Sequence, residues 1–276
     1  MNPLVSVILI TKNEEKYIAG CLKSLLAQKY KNIEALIVDN HSGDNTLEIA
    51  RQTYKKVKIF GGSKERCTQV NYGVKQAKGK YILISGADKL FNPLFIKRAV
   101  EKCEKENYDA IYTSVLTKDD SFFGKVRALE RQCYVGDDLH ETARFVKREI
   151  FDKIGGYDES LIGGEDYDFQ RRLNKGNYRT GRVEGADYHL REERSVADII
   201  KRSFYYGKTL TFFYKKYKIS GIKQFSPIRK VYFTHWKLWL KNPFLLVGFI
   251  FFKIVQYIAG GVGFIYQSIK NIFKLK

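Results

Sequence analysis

The stretch VSVILITKNEEKYIAGCLKSLLAQKYKNIEALIVDNHSGDNTLEIA, residues 5–50, decides the reading of the fold. It opens on an apolar, largely β-branched run, Val5–Ile10, the composition of a strand buried on both faces. A helical stretch follows over Glu14–Gln28, with Ile18, Cys21, Leu22 and Leu25 on one face. A second strand over Ile33–Val38 then meets an Asp/Asn/Ser/Gly cluster able to cap a helix over Thr46–Tyr54. Outward from there the alternation continues, with strands over Val57–Phe60 and Tyr81–Ile84 and helices over Thr68–Lys78 and Leu94–Glu104. This pattern predicts an α/β fold whose doubly wound, mainly parallel sheet is flanked by helices. Beyond it the pattern is mixed: a helix over Lys147–Lys153, a Gly-Gly turn, a helix over Glu165–Lys175 and a strand near Arg179–Tyr188. After Ser195 the chain reads as helical and basic to its end.

At 276 residues the chain suits one catalytic-size domain with an appendage, since domains average about 150 residues. Its formal net charge of +19 is unevenly placed. Residues 199–276 hold 15 Lys/Arg and no Asp or Glu, which leaves +4 for the first 198. Twenty of the 40 aromatic residues also lie in those last 78. A nucleic-acid binder would not divide its charge this way. A near-neutral domain followed by a basic, aromatic and apolar tail points to an anionic lipid surface. Boundaries are expected at 1–194 for the catalytic domain and 195–276 for the membrane-association region. Cysteines 21, 67, 103 and 133 show no metal-ligand or disulfide spacing and suit a reducing compartment. The polar TKNEEK run leaves no apolar region for a cleaved secretion signal, so the catalytic domain is expected in the cytoplasm.

Parallel sheets bind ligands beyond the carboxyl ends of their strands, and three of those ends carry polar clusters. They are Thr11-Lys12-Asn13-Glu14-Glu15, Asp39 to Thr46, and Ser85-Gly86-Ala87-Asp88. One aspartate at a strand end is usually a cap or turn residue; three clusters on one edge can line a nucleotide crevice. Asp137-Asp138-Leu139-His140-Glu141 reads as a ligand cluster or as a solvated loop, and Arg191 and Arg194 as anion ligands or as a solvated helix start. His41 and His235 read as surface residues, and the cysteines as core.

Residues 5–50 resemble the opening of family 2 glycosyltransferases of the GT-A fold: a strand, a Thr-x-Asn-Glu turn, a helix ending in Ser-Leu-x-x-Gln, and a second strand running into Val-Asp-Asn-x-Ser-x-Asp. The resemblance continues through Asn71, Gly73 and Gly79-Lys80-Tyr81-Ile82. It extends to Gly155-Gly156-Tyr157-Asp158-Glu159, Gly164-Glu165-Asp166-Tyr167-Asp168 and His189, and so covers roughly residues 3–190. It implies that Thr11, Asn13, Glu14 and Asp39 bind the nucleotide of a UDP- or GDP-sugar. Asp88, the last acid of an Asp-x-Asp motif, and His189 would hold a divalent cation, Mg or Mn. Asp166 would be the catalytic base, with Glu165 beside it orienting neighbours or complementing the helix N-terminus. The implied reaction is inverting transfer to an acceptor hydroxyl or phosphate, lipid-linked or on a glycan, at the membrane. One departure stands out: Gly86 occupies the place of the motif's first acid. It favours an alternative reading, a non-catalytic nucleotide-sugar-binding or assembly protein, which Asp166 and His189 oppose.

In the tail, Pro243 opens an apolar run in which Lys253, Gln256, Gly260, Gly263, Gln267, Lys270 and Lys274 recur at spacings of three and four. They form one polar or small stripe on an otherwise apolar helix. Lys253 at the centre of a spanning helix would cost about 2.5–3.5 kcal/mol. The stripe suits a helix in the interface, or one packing its glycines on a partner. Arg229, Lys230, Trp236, Lys237, Trp239 and Lys241 are expected at headgroup depth.

Overall fold

The structure, a computed structural model, describes residues 2–61, 65–222 and 225–273. The chain runs β1 (Val5–Thr11), α1 (Ile18–Leu26), β2 (Ile33–Asp39), α2 (Thr46–Thr53), β3 (Lys58–Gly61), α3 (Arg66–Gln76) and β4 (Tyr81–Gly86). It continues through β5 (Lys89–Leu90), α4 (Phe95–Glu106), β6 (Ala110–Tyr112), β7 (Val115–Thr117), α5 (Phe122–Tyr134), β8 (Ala143–Lys147) and α6 (Arg148–Lys153). The last elements are α7 (Glu165–Lys175), β9 (Thr180–Gly181), β10 (Asp187–His189), α8 (Val196–Ile222, its helical geometry broken at Lys218), α9 (Lys230–Thr234), α10 (Trp236–Leu240) and α11 (Pro243–Ile272).

The main sheet has the order β3-β2-β1-β4-β8-β6-β9. Its first four strands are parallel, and β8 runs antiparallel to both β4 and β6. The four expected parallel strands are present, whereas the single strand expected near Arg179–Tyr188 is instead two short ones, β9 in the main sheet and β10 in a separate three-stranded sheet with β5 and β7, because the intervening residues leave the ladder. The antiparallel insertion of β8 and the short β5, β6 and β7 carry too few residues to show a period in sequence. Val5, Val7, Leu9, Ile37 and Leu83 pack on one face of the sheet with α1 and α4. Ile8, Leu36, Val38, Ile82 and Ile84 pack on the other face with α3. Burial on both faces explains the uninterrupted apolar runs. Gly73 brings α3 down onto this face, since a Cβ there would lie 2.5 Å from Ile8 and 3.0 Å from Val38. The register sets Thr11 beside Asp39 and Ile10 beside Gly86, so the polar strand ends share one edge.

The chain forms two compact units, each assembled from separate stretches. The first comprises residues 1–115, 141–159 and 165–190 and contains the main sheet. The second comprises 116–140, 160–164 and 191–276 and is helical. Its core gathers Val126, Leu129 and Cys133 of α5, Ile199 of α8, Trp239 of α10, and Phe249 and Phe252 of α11. Trp239, expected at headgroup depth, is instead buried and stacks on Phe249 at 4.3 Å. Trp239 also meets Tyr232 edge-on at 6.4 Å, on the side of α10 that faces this core, whereas Trp236 of the same helix remains exposed.

Candidate active site

All eight candidate site residues belong to the first unit, in three groups. At the β1 and β2 ends, the Thr11 hydroxyl donates to Asp39 Oδ1 at 2.7 Å. The Ser42 hydroxyl reaches the same oxygen at 2.6 Å, and the Ser42 N–H reaches Oδ2 at 2.8 Å. A carboxylate offers about four acceptor directions, so one is left for a ligand's N–H or hydroxyl. Asn13 takes a left-handed conformation (φ 53°), which Asn tolerates better than most residues, and its Oδ1 accepts from the Gly43 N–H at 2.9 Å. The Glu14 N–H donates to Thr46 Oγ1 at 2.7 Å, and the Glu14 side chain is buried. Asn13 and Glu14 thus tie the first loop to the second, which holds Asp39 and Thr11 in fixed positions. His41, on the same loop, is exposed as expected.

The second group joins residues far apart in sequence. β5 pairs antiparallel with β10, setting Lys89 opposite His189, and the Leu190 N–H donates to the Asp88 carbonyl at 2.9 Å. This pairing brings His189 Nε2 to 3.2 Å from Asp88 Oδ2. Burial alone would raise the Asp88 carboxyl, but the hydrogen bond and charge of His189, with Lys89 and Arg66 nearby, hold it well below the usual carboxylate range. Burial, reinforced by Arg144, pushes the Lys89 ammonium down to about 7 against the opposing pull of Asp88 and Asp187. A Cβ on Gly86 would sit 2.8 Å from Asp88 Oδ1, so glycine there leaves the Asp88 carboxylate its position. Among the described residues no cluster of three His, Cys, Asp or Glu side chains is placed around one ion. Asp88 and His189 form a two-donor set, which fits a divalent ion whose remaining ligands are phosphate oxygens and water.

The third group opens α7. Glu165 is buried and faces Arg66 at 3.2 Å. Burial raises its carboxyl above the ordinary value, with Arg66 opposing and Asp166 reinforcing. Asp166 Oδ2 accepts from Arg144 at 3.0 Å, and its Oδ1 accepts from the Tyr167 N–H at 2.9 Å. Arg66 acts electrostatically on both Asp88 and Glu165, and Arg144 on both Lys89 and Glu165, so the second and third groups share one electrostatic neighbourhood. Nothing in the sequence around either arginine marks it as a site residue. Arg144 lies on the unrecognised β8, and Arg66 is the first residue of a helix expected to start two positions later.

Glu141 accepts from Arg182 at 3.0 Å, while His140 pairs with Asp137 and stacks on Tyr134. The Asp137–Glu141 run is therefore split between the two units rather than gathered as one ligand set. Arg194 pairs with Asp119 at 3.5 Å, and Arg191 is exposed. The four cysteines are buried and free, and burial pushes the Cys21 thiol up to about 12, away from reactivity.

A sequence profile of glycosyl transferase family 2 matches residues 6–158, more than half of the chain. The chain belongs to glycosyl transferase family 2. Among its relatives, a dolichyl N-acetyl-alpha-D-glucosaminyl phosphate 3-beta-D-2,3-diacetamido-2,3-dideoxy-beta-D-glucuronosyltransferase of Methanococcus voltae is 29% identical over 95% of this chain and 84% of its own length. An uncharacterized glycosyltransferase of Rickettsia typhi is 31% identical over 60% of this chain and 57% of its own length. A mannosyltransferase of Pyrobaculum calidifontis, solved in complex with GDP-Man and Mn2+, superposes with TM-score 0.63 at 18% identity, covering 100% of this chain and 89% of that one. TarS of S. aureus in complex with UDP-GlcNAc gives TM-score 0.55 at 20% identity, covering 98% and 91%. The protein is a glycosyltransferase with the GT-A fold, and its α11 is, among the described residues, the helix long and apolar enough to cross a membrane.

Proposed function

We propose that this family 2 glycosyltransferase moves a hexose-type sugar, with inversion, from a nucleoside diphosphate sugar to a lipid-linked acceptor. Residues 1–194 carry the reaction in this reading, on the cytoplasmic side of the membrane, and residues 195–276 serve attachment. The observation that carries it is the meeting of Asp88 and His189 at 3.2 Å, on the same strand-end edge as Thr11 and Asp39. The donors seen with the structural neighbours, GDP-Man and UDP-GlcNAc, support a nucleotide-sugar. A dolichyl phosphate-linked sugar in the name of the Methanococcus relative supports the lipid-linked acceptor.

Each group has one task. Asp39 and Thr11 hold the nucleoside, using the acceptor direction that the Ser42 contacts leave open. Asp88 and His189 would hold Mg²⁺ or Mn²⁺, which supplies Lewis-acid stabilisation of the departing diphosphate. Arg66 and Arg144 add fixed positive charge beside the same anion. Asp166 takes the proton of the acceptor hydroxyl as it attacks the anomeric carbon opposite the leaving group. Glu165, buried against Arg66, orients rather than reacts.

Asp39→Ala is expected to weaken nucleotide binding by about 1–3 kcal/mol, the cost of leaving ligand donors unpaired. Because Asp39 also fixes its own loop, Ser42→Ala serves as the control, removing loop contacts while keeping the carboxylate. Calorimetric titration with UDP and GDP should show a large loss for the first variant and a small one for the second. Equal affinities in Asp39→Ala and the parent would remove Asp39 from the site.

His189→Ala should weaken Mn²⁺ binding by at least about tenfold, since even groups behind a metal ligand commonly cost 10–100-fold. Titration of the free-ion Mn²⁺ resonance in the presence of nucleoside diphosphate reads this without relying on turnover. An unchanged Mn²⁺ isotherm would sink the ion assignment.

A further inference from the structure

The two faces of α11 differ, and tertiary contacts rather than composition account for it. On the inner face, Lys253 Nζ lies 2.6 Å from Glu130 Oε1 and donates to Gln256 Oε1 at 2.8 Å. Farther along, α11 and α8 touch backbone to backbone. A Cβ on Gly207 would overlap the Gly260 carbonyl, and one on Gly263 would overlap that of Phe204. The stripe from Lys253 to Gly263 is therefore used inside the second unit, while Gln267 donates to Asn271 of the same helix at 3.0 Å and Lys274 lies outside the described residues. The outer face is different. Val247, Ile254, Ile258, Val262, Ile265 and Ile269 are 47–67% exposed and recur at helical spacing along the 30-residue helix, an apolar ridge of roughly 33 Å.

We propose that α11 lies in the plane of an anionic membrane, with this ridge sunk into one leaflet, and does not cross the bilayer. Spanning has two routes from this structure, both costly. If α11 crossed together with α8, the lysines of α8, Lys201, Lys208, Lys215 and Lys216 among them, would enter hydrocarbon. Each is disfavoured in hydrocarbon, most of all near the bilayer centre. If α11 crossed alone, it would abandon Glu130 and carry Lys253 into the bilayer without a partner. Lying flat keeps every inner contact and immerses only the ridge, to about 5–10 Å. Charge selects the occupant. Residues 199–276 carry 15 Lys/Arg and no acid, which an anionic leaflet attracts and a second copy of the same basic surface repels. This placement is independent of the catalytic assignments, because vesicle binding can be read without turnover.

The test uses the full chain added to preformed vesicles of phosphatidylcholine, with or without phosphatidylglycerol. Flotation should show binding that requires phosphatidylglycerol, and Ile258→Asp should lower the bound fraction at least about tenfold. Val262→Asn should lower it less, and circular dichroism of both variants should match the parent. Because the native cysteines are buried, single cysteines can report topology. With vesicles bound, Asn242→Cys and Asn271→Cys should both react with an impermeant maleimide added outside, while Ile258→Cys should be shielded. Protection of one end until detergent is added would mean a spanning helix and overturn the proposal. So would shielding of Ile258→Cys without lipid, accompanied by a dimer in light scattering. Equal flotation with neutral vesicles would overturn the anionic preference, and unchanged flotation of both ridge variants would overturn the assigned face.

Discussion

Replacing Asp166 by asparagine is expected to lower sugar transfer by about 10²–10⁴ while leaving donor binding nearly intact. The amide cannot accept the proton of the acceptor hydroxyl. Its Oδ1 can still accept from the Tyr167 N–H, so the start of α7 keeps its local geometry. The Arg144 contact does change, because an amide nitrogen in place of Oδ2 would face another donor. Arg144→Met therefore belongs beside it, as a variant that loses the ion pair but keeps the carboxylate. Glu165→Gln should be milder than Asp166→Asn, since Glu165 is buried against Arg66 and its carboxyl is already raised toward the neutral form by burial. The measurement is transfer rate at saturating donor, together with donor affinity by calorimetry. Full transfer by Asp166→Asn would remove it as the base. Donor binding without transfer by the parent protein, across lipid-phosphate and glycan acceptors, would favour the non-catalytic alternative.

The second large effect is on stability. Glu130 is buried on α5 with Arg127 and Lys253 as ion-pair partners, and it accepts from the hydroxyls of Tyr134 and Tyr232. Glu130→Ala should destabilise the protein by about 3–5 kcal/mol, because it takes the ion-pair partner from the buried Lys253 ammonium and an acceptor from two tyrosine hydroxyls, whereas Arg127 keeps Glu192 at 3.4 Å. Pairing it with Lys253→Met should recover part of that loss, since the charge left without its partner is then removed. Such a rescue, read from denaturant midpoints, separates the ion pair from simple loss of packing. The pH dependence has a definite sign. Burial would raise the Glu130 carboxyl, but Arg127 and then Lys253 hold it well below the ordinary 4.5. Its stabilisation is therefore fully present above that ordinary value and is lost as pH falls through the lower folded value. The gap between parent and Glu130→Ala should shrink under acid conditions, and shrink again as pH rises past about 8, where Lys253, pushed down to about 8 by burial, loses its proton and the pair its charge. A gap that stays constant into acid would contradict the ion-pair account.

The first four strands, their order of appearance and the helices between them could be read from residues 5–104, because burial on both faces leaves an unbroken apolar signature. The polar strand ends could be read for the same reason: Thr11, Asp39 and Asp88 interrupt apolar runs where the chain must turn. Arg66 and Arg144 could not, since nothing local distinguishes a site arginine from a solvated one. Their meaning comes from the carboxylates opposite them, which other elements supply.

The tail shows the same division most sharply. Its composition alone set apart a basic, aromatic, apolar region, because charge and hydropathy are sums over residues and need no partner. The Lys253–Gly263 stripe was equally plain in the sequence, yet it did not say what the stripe touched. Only the folded chain supplied Glu130 for the lysine and Phe204 and Gly207 for the glycines. Likewise, Asp88 and His189 were each marked by neighbouring sequence, but the β5–β10 pairing made them a single pair. Periodicity and composition are local, so a sequence declares them; charge pairing and backbone contact depend on residues that only folding brings within reach.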